Sequence, residues 1–249
     1  MEAALEGGAL LKRSLGKVRS IDYKGAINIV TDIDKKSEIV IVKKIRRAFP
    51  GHAILAEEGG SLTGSCEYKW IIDPLDGTTN FAHSFPFFGV SIALERDGEI
   101  VVGVVYDPIK GEMFSAETGK GSYLNSKKIK VSGIKKLSQS LLATGFSYGV
   151  QDTEDDNVEN FRRFLKRAMA IRRAGSAALD LCYVACGRFD GYWEMDLHPW
   201  DTAAGMLVVN EAGGIVTKCD GSQYTPYNKN ILASNNYIHN KMIEVLSYS

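Results

Sequence analysis

Two strand-like runs, residues 90–96 and 100–106, are separated by Asp97-Gly98, and this spacing constrains the fold more than any other feature of the sequence. A two-residue Asp-Gly turn matches the twist of paired strands, so it sets antiparallel pairing and register together. Residues 113–117 and 121–124 continue the pattern, with Asn125-Ser126 as a further turn. The first half of the chain therefore contains an antiparallel meander. Two helices are expected before it. Residues 3–15 read as a short helix ended by Gly16. Residues 34–48 read as an amphipathic helix with Ile39, Val42, Ile45 and Ala48 on one face, closed by Pro50-Gly51. Residues 20–34, with Gly25 and mixed polarity, read as a mobile stretch between them.

The second half alternates. Residues 140–144, 191–194, 215–217 and 231–233 are strand-like. Helices are expected over 157–168, from Ser176 to Ala185, over 200–211 before Gly213-Gly214, and over 238–246. The pattern predicts a layered α+β or α/β sandwich. Residues 1–135 form an α+β part and residues 136–249 an α/β part, expected as one compact unit. No internal repeat or long linker interrupts them.

A chain of 249 residues can bury a sizeable core. Lys plus Arg and Asp plus Glu balance at 30 each, so no global field draws the chain to nucleic acid or an anionic membrane. The densest basic stretch, Lys127, Lys128, Lys130, Lys135 and Lys136, lacks interleaved aromatics and reads as a solvated face. No apolar run has the length of a membrane span, and the start lacks the order of a signal peptide. The four cysteines are irregularly spaced, and Cys182 and Cys186 read as helix-packing thiols rather than zinc ligands. A reduced, cytoplasmic protein is expected.

Chemistry concentrates in three places. The apolar strand Lys69-Trp70-Ile71-Ile72 runs into Asp73-Pro74-Leu75-Asp76-Gly77-Thr78-Thr79-Asn80. Two carboxylates three apart, followed by Gly77 and two threonines, describe a loop where a hard cation meets a phosphate. Asp, Pro and Gly are also ordinary turn residues. Glu57-Glu58 ends another short strand, and adjacent acids there are usually solvated. Asp201 stands where a helix N-cap would stand, and capping alone explains an Asp there. Together the weights change. Each acid sits at a strand's carboxyl end or a helix start, where ligands of sheet proteins gather. Converging carboxylates need a counter-charge, and oxygen donors suit magnesium, manganese or calcium.

Three segments then resemble the inositol monophosphatase family of lithium-sensitive, magnesium-dependent sugar phosphatases. They are Trp70 through Phe81, Glu57-Glu58-Gly59, and Trp200-Asp201-Thr202-Ala203-Ala204-Gly205 followed by Glu211-Ala212-Gly213-Gly214. The resemblance covers nearly the whole chain and implies a sandwich of alternating α-β-α-β-α layers. It implies that Glu57, Asp73 and the Leu75 carbonyl hold one magnesium ion, and Asp73, Asp76 and Asp201 a second, with a weaker third near Glu57; manganese is an alternative ion. Backbone N–H groups of Gly77 and Thr78 would hold the phosphate. Thr78, paired with Asp34, would orient and deprotonate the attacking water, with Glu57 also catalytic. Ala177, Glu194 and Asp76 would contact a sugar or polyol hydroxyl; alone, Glu194 also reads as a surface strand residue. The segment from Lys24 to Asp34 resembles the family's lysine-containing loop, with Asn28 where an acid is common, which weakens the third ion's site. A homodimer is implied as well.

The continuation Thr79-Asn80-Phe81 resembles the inositol-phosphate branch; the histidinol-phosphate and phosphoadenosine branches tend to have Lys at the position of Thr79. The expected reaction is magnesium-dependent hydrolysis of inositol-1-phosphate. Fructose 1,6-bisphosphate hydrolysis stays open. A role as a binding partner of RNA-processing or transcription machinery is the alternative from another class. Membrane association and nucleic-acid binding are not expected.

Overall fold

A computed structural model describes residues 1–17, 21–23, 29–150 and 156–247, and the side chains of these except 21–23, 29, 30, 65 and 66. Lys24, Gly25, Ala26, Ile27, Asn28 and the Cys66 side chain thus lie outside the described residues.

Helix α1 (Glu2–Ser14) precedes a ribbon of β1 (Ile21–Tyr23) and β2 (Ile29–Thr31), then α2 (Asp32–Ala48). Next come β3 (His52–Ala56), β4 (Gly60–Leu62), the long β5 (Ser65–Asp76) and the short helix α3 (Thr78–Ala82). The meander follows as β6 (Gly89–Arg96), β7 (Glu99–Asp107), β8 (Glu112–Glu117), β9 (Gly121–Leu124) and β10 (Lys127–Lys128). The second half contains β11 (Leu141–Thr144), α4 (Val158–Leu165), β12 (Ala170–Arg172), α5 (Ala177–Ala185) and β13 (Gly191–Glu194). It ends with α6 (Pro199–Glu211), β14 (Ile215–Thr217), β15 (Ile231–Ser234) and α7 (His239–Leu246).

The first sheet has eight strands in the order β10-β9-β8-β7-β6-β5-β3-β4, antiparallel except where β3 runs parallel to β5. The Asp97-Gly98 turn joins β6 to β7 with both residues at positive φ, 51° and 86°, and pairs Arg96 with Glu99. That is the two-residue hairpin expected from the sequence. Asn125 and Ser126, at φ 47° and 66°, repeat it between β9 and β10. The second sheet has five strands in the order β12-β11-β13-β15-β14, with β11 parallel to both its neighbours.

Helices α1 and α2 cover one face of the first sheet, α5 and α6 lie between the sheets, and α4 and α7 cover the far face of the second. The layers run α-β-α-β-α, the order that the family resemblance implied. Strand β5 shows why its run is apolar on both sides. Ile71 points into the core around α5 and α6, and Ile72 into the core beneath α1 and α2. Strand alternation sends neighbours to opposite faces, and here both faces are covered. Helix α6 buries Thr202, Ala203, Ala204, Gly205, Leu207, Val208 and Val209, because sheets press on it from both sides.

The structure corrects the reading of α2. The helix starts at Asp32, not residue 34, and its N-cap is Thr31. Its buried face is Ile33, Asp34, Ser37, Glu38, Ile41 and Ile45, while Ile39 is 66% exposed. Of the face read from the sequence, Ile45 is buried and Val42 packs against the same core, but Ile39 and Ala48 are exposed, and the three polar residues of the buried stripe were missed. Ile41→Ala should therefore cost about 3 kcal/mol, whereas Ile39→Ala should cost less than about 0.5 kcal/mol; denaturant unfolding of both variants checks this.

Candidate active site

The acids named from the sequence meet at one cavity. Its lining includes Glu57, Asp73, Leu75, Asp76, Gly77, Thr78, Thr79, Ala177, Glu194 and Asp201, and its volume is about 350 Å³. Asp34 stands behind this lining, reached through Thr78.

Asp73 and Asp76 close strand β5. The pairing of β5 with β6 slips between them, because the sheet bulges at the Asp73-Pro74-Leu75-Asp76 segment. The Leu75 N–H donates to Asp73 Oδ1 at 2.9 Å, which curls the bulge around that carboxylate. Ser37 Oγ donates to the Pro74 carbonyl at 2.9 Å and clamps the same segment to α2. Asp76 Oδ2 accepts from Ser176 Oγ at 2.5 Å and from the Ala178 N–H at 2.7 Å. Through Asp76, the first sheet grips the start of α5.

Gly77 follows at φ +95°, a conformation that L side chains rarely adopt. A Cβ there would also lie 3.1 Å from both the Gly175 and Phe87 carbonyl oxygens. Thr78 Oγ1 donates to Asp34 Oδ1 at 2.9 Å and lies 3.1 Å from the Leu75 carbonyl. Asp34 Oδ2 accepts in turn from the Thr31 N–H at 2.9 Å, so this carboxylate also serves the capping box of α2. Burial raises the Asp34 pKa, against the hydrogen bonds from Thr31 and Thr78.

Glu57 follows β3, with its N–H donating to the Ile72 carbonyl at 3.2 Å. Glu38 Oε2 accepts from the Glu58 N–H at 2.8 Å and anchors that turn to α2. Asp201 is not the N-cap of α6. The cap is His198, and Asp201 sits three positions on, accepting from the His198 N–H at 2.7 Å. The capping duty read from sequence is real, and it belongs to the helix's reciprocal box. Ser91 Oγ donates to the Trp200 carbonyl at 3.1 Å, tying the start of α6 to the first sheet.

Glu194 ends β13 and accepts from the Tyr192 hydroxyl. A Cβ on Gly145 would lie 2.1 Å from its carboxylate oxygens, so glycine at 145 is what leaves room for Glu194. Ala177 is the first residue of α5, whose N-cap Ser176 also holds Asp76.

Electrostatics sets this region apart. Burial, then Glu57, Asp76 and Asp201, push Asp73 well above the usual carboxylate range. Burial, then Asp76, does the same to Asp201. Burial lifts Asp76 to about 6, against its hydrogen bonds from Ser176, Ala178 and Ala177. Burial lifts Glu194 to about 7, against the Tyr192 hydrogen bond and with Asp76 adding to the rise. Asp180, on α5, is raised by burial, Glu194 and Asp76, and its Oδ1 has no hydrogen-bond partner among the described residues. The neighbouring charges that raise Asp73 and Asp201 are all acids.

Among the described residues, no three His, Cys, Asp or Glu side chains are gathered as a ready-made coordination shell. The donor chemistry nevertheless fits a hard cation: the donors are all oxygen, and neighbouring acids raise the pKa of Asp73 and Asp201. No described helix is long and apolar enough to cross a membrane.

Sequence reasoning missed Ser37, Glu38, Ser176, Gly145, Tyr148 and Arg173. The signal for the first two was available, since Ser37 and Glu38 lie three and four residues after Asp34, on one helix face. Gly145, Tyr148 and Arg173 line the cavity from the second half of the chain and carry no local motif.

The raised Glu194 pKa has a sign that can be checked. In a carboxyl with a folded pKa above its unfolded value, the favourable contribution is complete below the unfolded value and is lost as pH rises through the folded one. For Glu194 that window runs from its ordinary value of 4.5 to about 7. In chelator, Glu194→Gln should therefore gain thermal stability relative to the parent on going from pH 5 to pH 8. Melting curves across that range check it.

A model of the inositol monophosphatase family matches residues 1–248. An inositol-1-monophosphatase from Synechocystis is 47% identical over 249 residues, covering 99% of this chain and 86% of that protein. The Nus factor SuhB of Pseudomonas aeruginosa is 46% identical over 244 residues, covering 94% of this chain and 89% of that protein. The crystal structure of the extragenic suppressor protein suhB from Bartonella henselae superposes with a TM-score of 0.94 at 41% identity, covering 100% of this chain and 96% of that one. The chain belongs to the inositol monophosphatase family and is a phosphoric monoester hydrolase by that membership.

Proposed function

We propose that the cavity hydrolyses a small phosphate monoester with magnesium, and that inositol-1-phosphate is the preferred substrate. The observation that carries this is the convergence of Glu57, Asp73, Asp76 and Asp201 on one cavity beside Gly77 and Thr78. A cluster whose acids raise the pKa of Asp73 and of Asp201 is a poor place for a phosphate until a cation joins it. In this reading Glu57, Asp73 and the Leu75 carbonyl hold one ion, and Asp73, Asp76 and Asp201 another. Bound there, magnesium supplies counter-charge for the acids and the phosphate and lowers the pKa of a coordinated water.

The chain's own groups do the rest. The N–H groups of Gly77 and Thr78 bind phosphate oxygens. Thr78 commits its hydroxyl proton to Asp34 at 2.9 Å, which leaves its oxygen to accept from the attacking water. As the water's oxygen bonds to phosphorus, its proton passes to Thr78 and the Thr78 proton to Asp34. The alcohol leaves with the electron pair of the broken P–O bond and takes up a proton from solvent water. No covalent nucleophile is needed, because positioning and charge stabilisation carry phosphoryl transfer. Glu194 and Asp76 accept from polyol hydroxyls, with Ala177 alongside. Thr79 keeps the small residue of the inositol-phosphate branch, and its Oγ1 lies 3.2 Å from the Tyr148 hydroxyl.

A second reading has one observation in its favour: a relative 46% identical is named as a Nus factor. Co-purification of RNA polymerase or RNA at physiological salt, with no phosphatase activity, would favour it.

The test is phosphate release with magnesium from a panel of inositol, fructose and nucleoside phosphates. Inositol-1-phosphate should give the highest kcat/KM; preference for fructose 1,6-bisphosphate or phosphoadenosine phosphate overturns the substrate. Asp76→Asn should lower kcat at least about a hundredfold with circular dichroism unchanged, since it removes charge and keeps shape. Retained activity in that variant would sink the assignment of Asp76 to the ions.

A further inference from the structure

Tyr192 and Glu194 stand two apart on β13, and residues two apart on a strand share a face. Tyr192 is fully buried and joins the core around α5 and α6, while Trp193 between them turns to the core beneath α4 and α7. The Tyr192 hydroxyl donates to Glu194 Oε2, and it is the only hydrogen bond that this carboxylate receives among the described residues. Gly145 confines the same group, since a Cβ there would collide with both of its oxygens. That backbone is itself held. Asn157 Nδ2 donates to the Gly145 carbonyl at 2.8 Å, and Trp193 Nε1 donates to Asn157 Oδ1 at 2.7 Å. Both restraints on Glu194 therefore trace back to side chains of β13.

A planar carboxylate tied at one oxygen and pressed against fixed backbone has its other oxygen fixed as well. Direction matters here, because a hydrogen bond weakens steeply as its angle closes. Tyr192 is suited to hold that direction. Burial and the charges of Glu194 and Asp180 disfavour its phenolate, so it keeps its proton and remains a donor. The one phenol proton goes to Glu194 and not to Asp180, whose Oδ1 has no hydrogen-bond partner among the described residues. Tyr192 is absent from the cavity lining, whereas Glu194 belongs to it.

We infer that Tyr192 is a positioning residue: its hydroxyl fixes the Glu194 carboxylate so that Oε1 accepts from a hydroxyl of the alcohol, which favours esters of hydroxyl-bearing alcohols over esters of alcohols without one. The inference rests on the phosphatase reading and gives its preference for a polyol a cause outside the cavity.

Inositol-1-phosphate and phenyl phosphate are both monoesters, and only the first brings hydroxyls to Glu194. With magnesium, Tyr192→Phe should lower the inositol-to-phenyl ratio of kcat/KM about tenfold, through KM rather than kcat. Glu194→Ala removes both acceptor oxygens and should lower the ratio as well. Adding Tyr192→Phe to Glu194→Ala should then change it less than about twofold, because the two side chains act as one unit. An unchanged ratio in Tyr192→Phe overturns the inference. So does an equal loss on both esters, which a merely loosened β13 would give, and so does a further tenfold loss in the double variant. If neither ester is hydrolysed, the phosphatase reading fails; if phenyl phosphate alone is hydrolysed, the inositol reading fails. Calorimetric binding of both esters to the same proteins then decides the role of Tyr192. It stands if Tyr192→Phe weakens inositol-1-phosphate about tenfold more than phenyl phosphate, and falls if both weaken alike or if the parent binds the two equally.

Discussion

Mutual repulsion among buried carboxylates is the constraint around which this molecule is organised. Asp73, Asp76 and Asp201 are driven above the usual carboxylate range by burial, and acids of the same cluster add to the rise at Asp73 and Asp201. Burying one uncompensated charge is costly, and a cluster costs more. Such an arrangement persists only where the surrounding scaffold over-determines it. Here the scaffold is a five-layer sandwich, with Asp73 and Asp76 at the end of its long interior strand β5 and Asp201 on the helix packed between its sheets.

Helix α2 is the clearest part of that scaffold. Its buried face places Asp34, Ser37 and Glu38 within about one turn. Asp34 receives the Thr78 hydroxyl, Ser37 clamps Pro74, and Glu38 holds the Glu58 amide. One rigid element thereby sets the positions of both acid-bearing turns. From the other side, Asp76 grips Ser176 and Ala178, joining the first sheet to the start of α5. Asn80 Nδ2 adds to this seam by donating to the Phe87 carbonyl at 2.7 Å and the Ala174 carbonyl at 2.8 Å. Polar contacts that assemble the cavity are therefore the same ones that fix the middle layers against each other.

Much of this was legible from the chain alone. The two-residue turns at Asp97-Gly98 and Asn125-Ser126 gave hairpins with the expected register, since their backbone conformation is local. The helix starting near Ser176 was also found. The core face of helix α2 was read correctly at Ile45 and Val42 and wrongly at Ile39 and Ala48, because periodicity counts apolar residues and its buried stripe is half polar. Asp201 was placed at a cap and sits at the third helical position, because Pro199 begins the helix earlier than the Trp200 start suggested.

What the sequence determined by itself is the local chemistry: which strands turn back, where Asp73 and Asp76 stand relative to a glycine and two threonines, and which residue types are available. Those follow from neighbours within a few positions. Tertiary structure decided which of these residues share a cavity. Glu57 to Asp201 spans more than half the chain, and Gly145, Tyr148 and Arg173 enter the same cavity from segments without motifs. Contacts of that separation are set by how sheets and helices pack, and packing depends on all the layers at once rather than on any one segment.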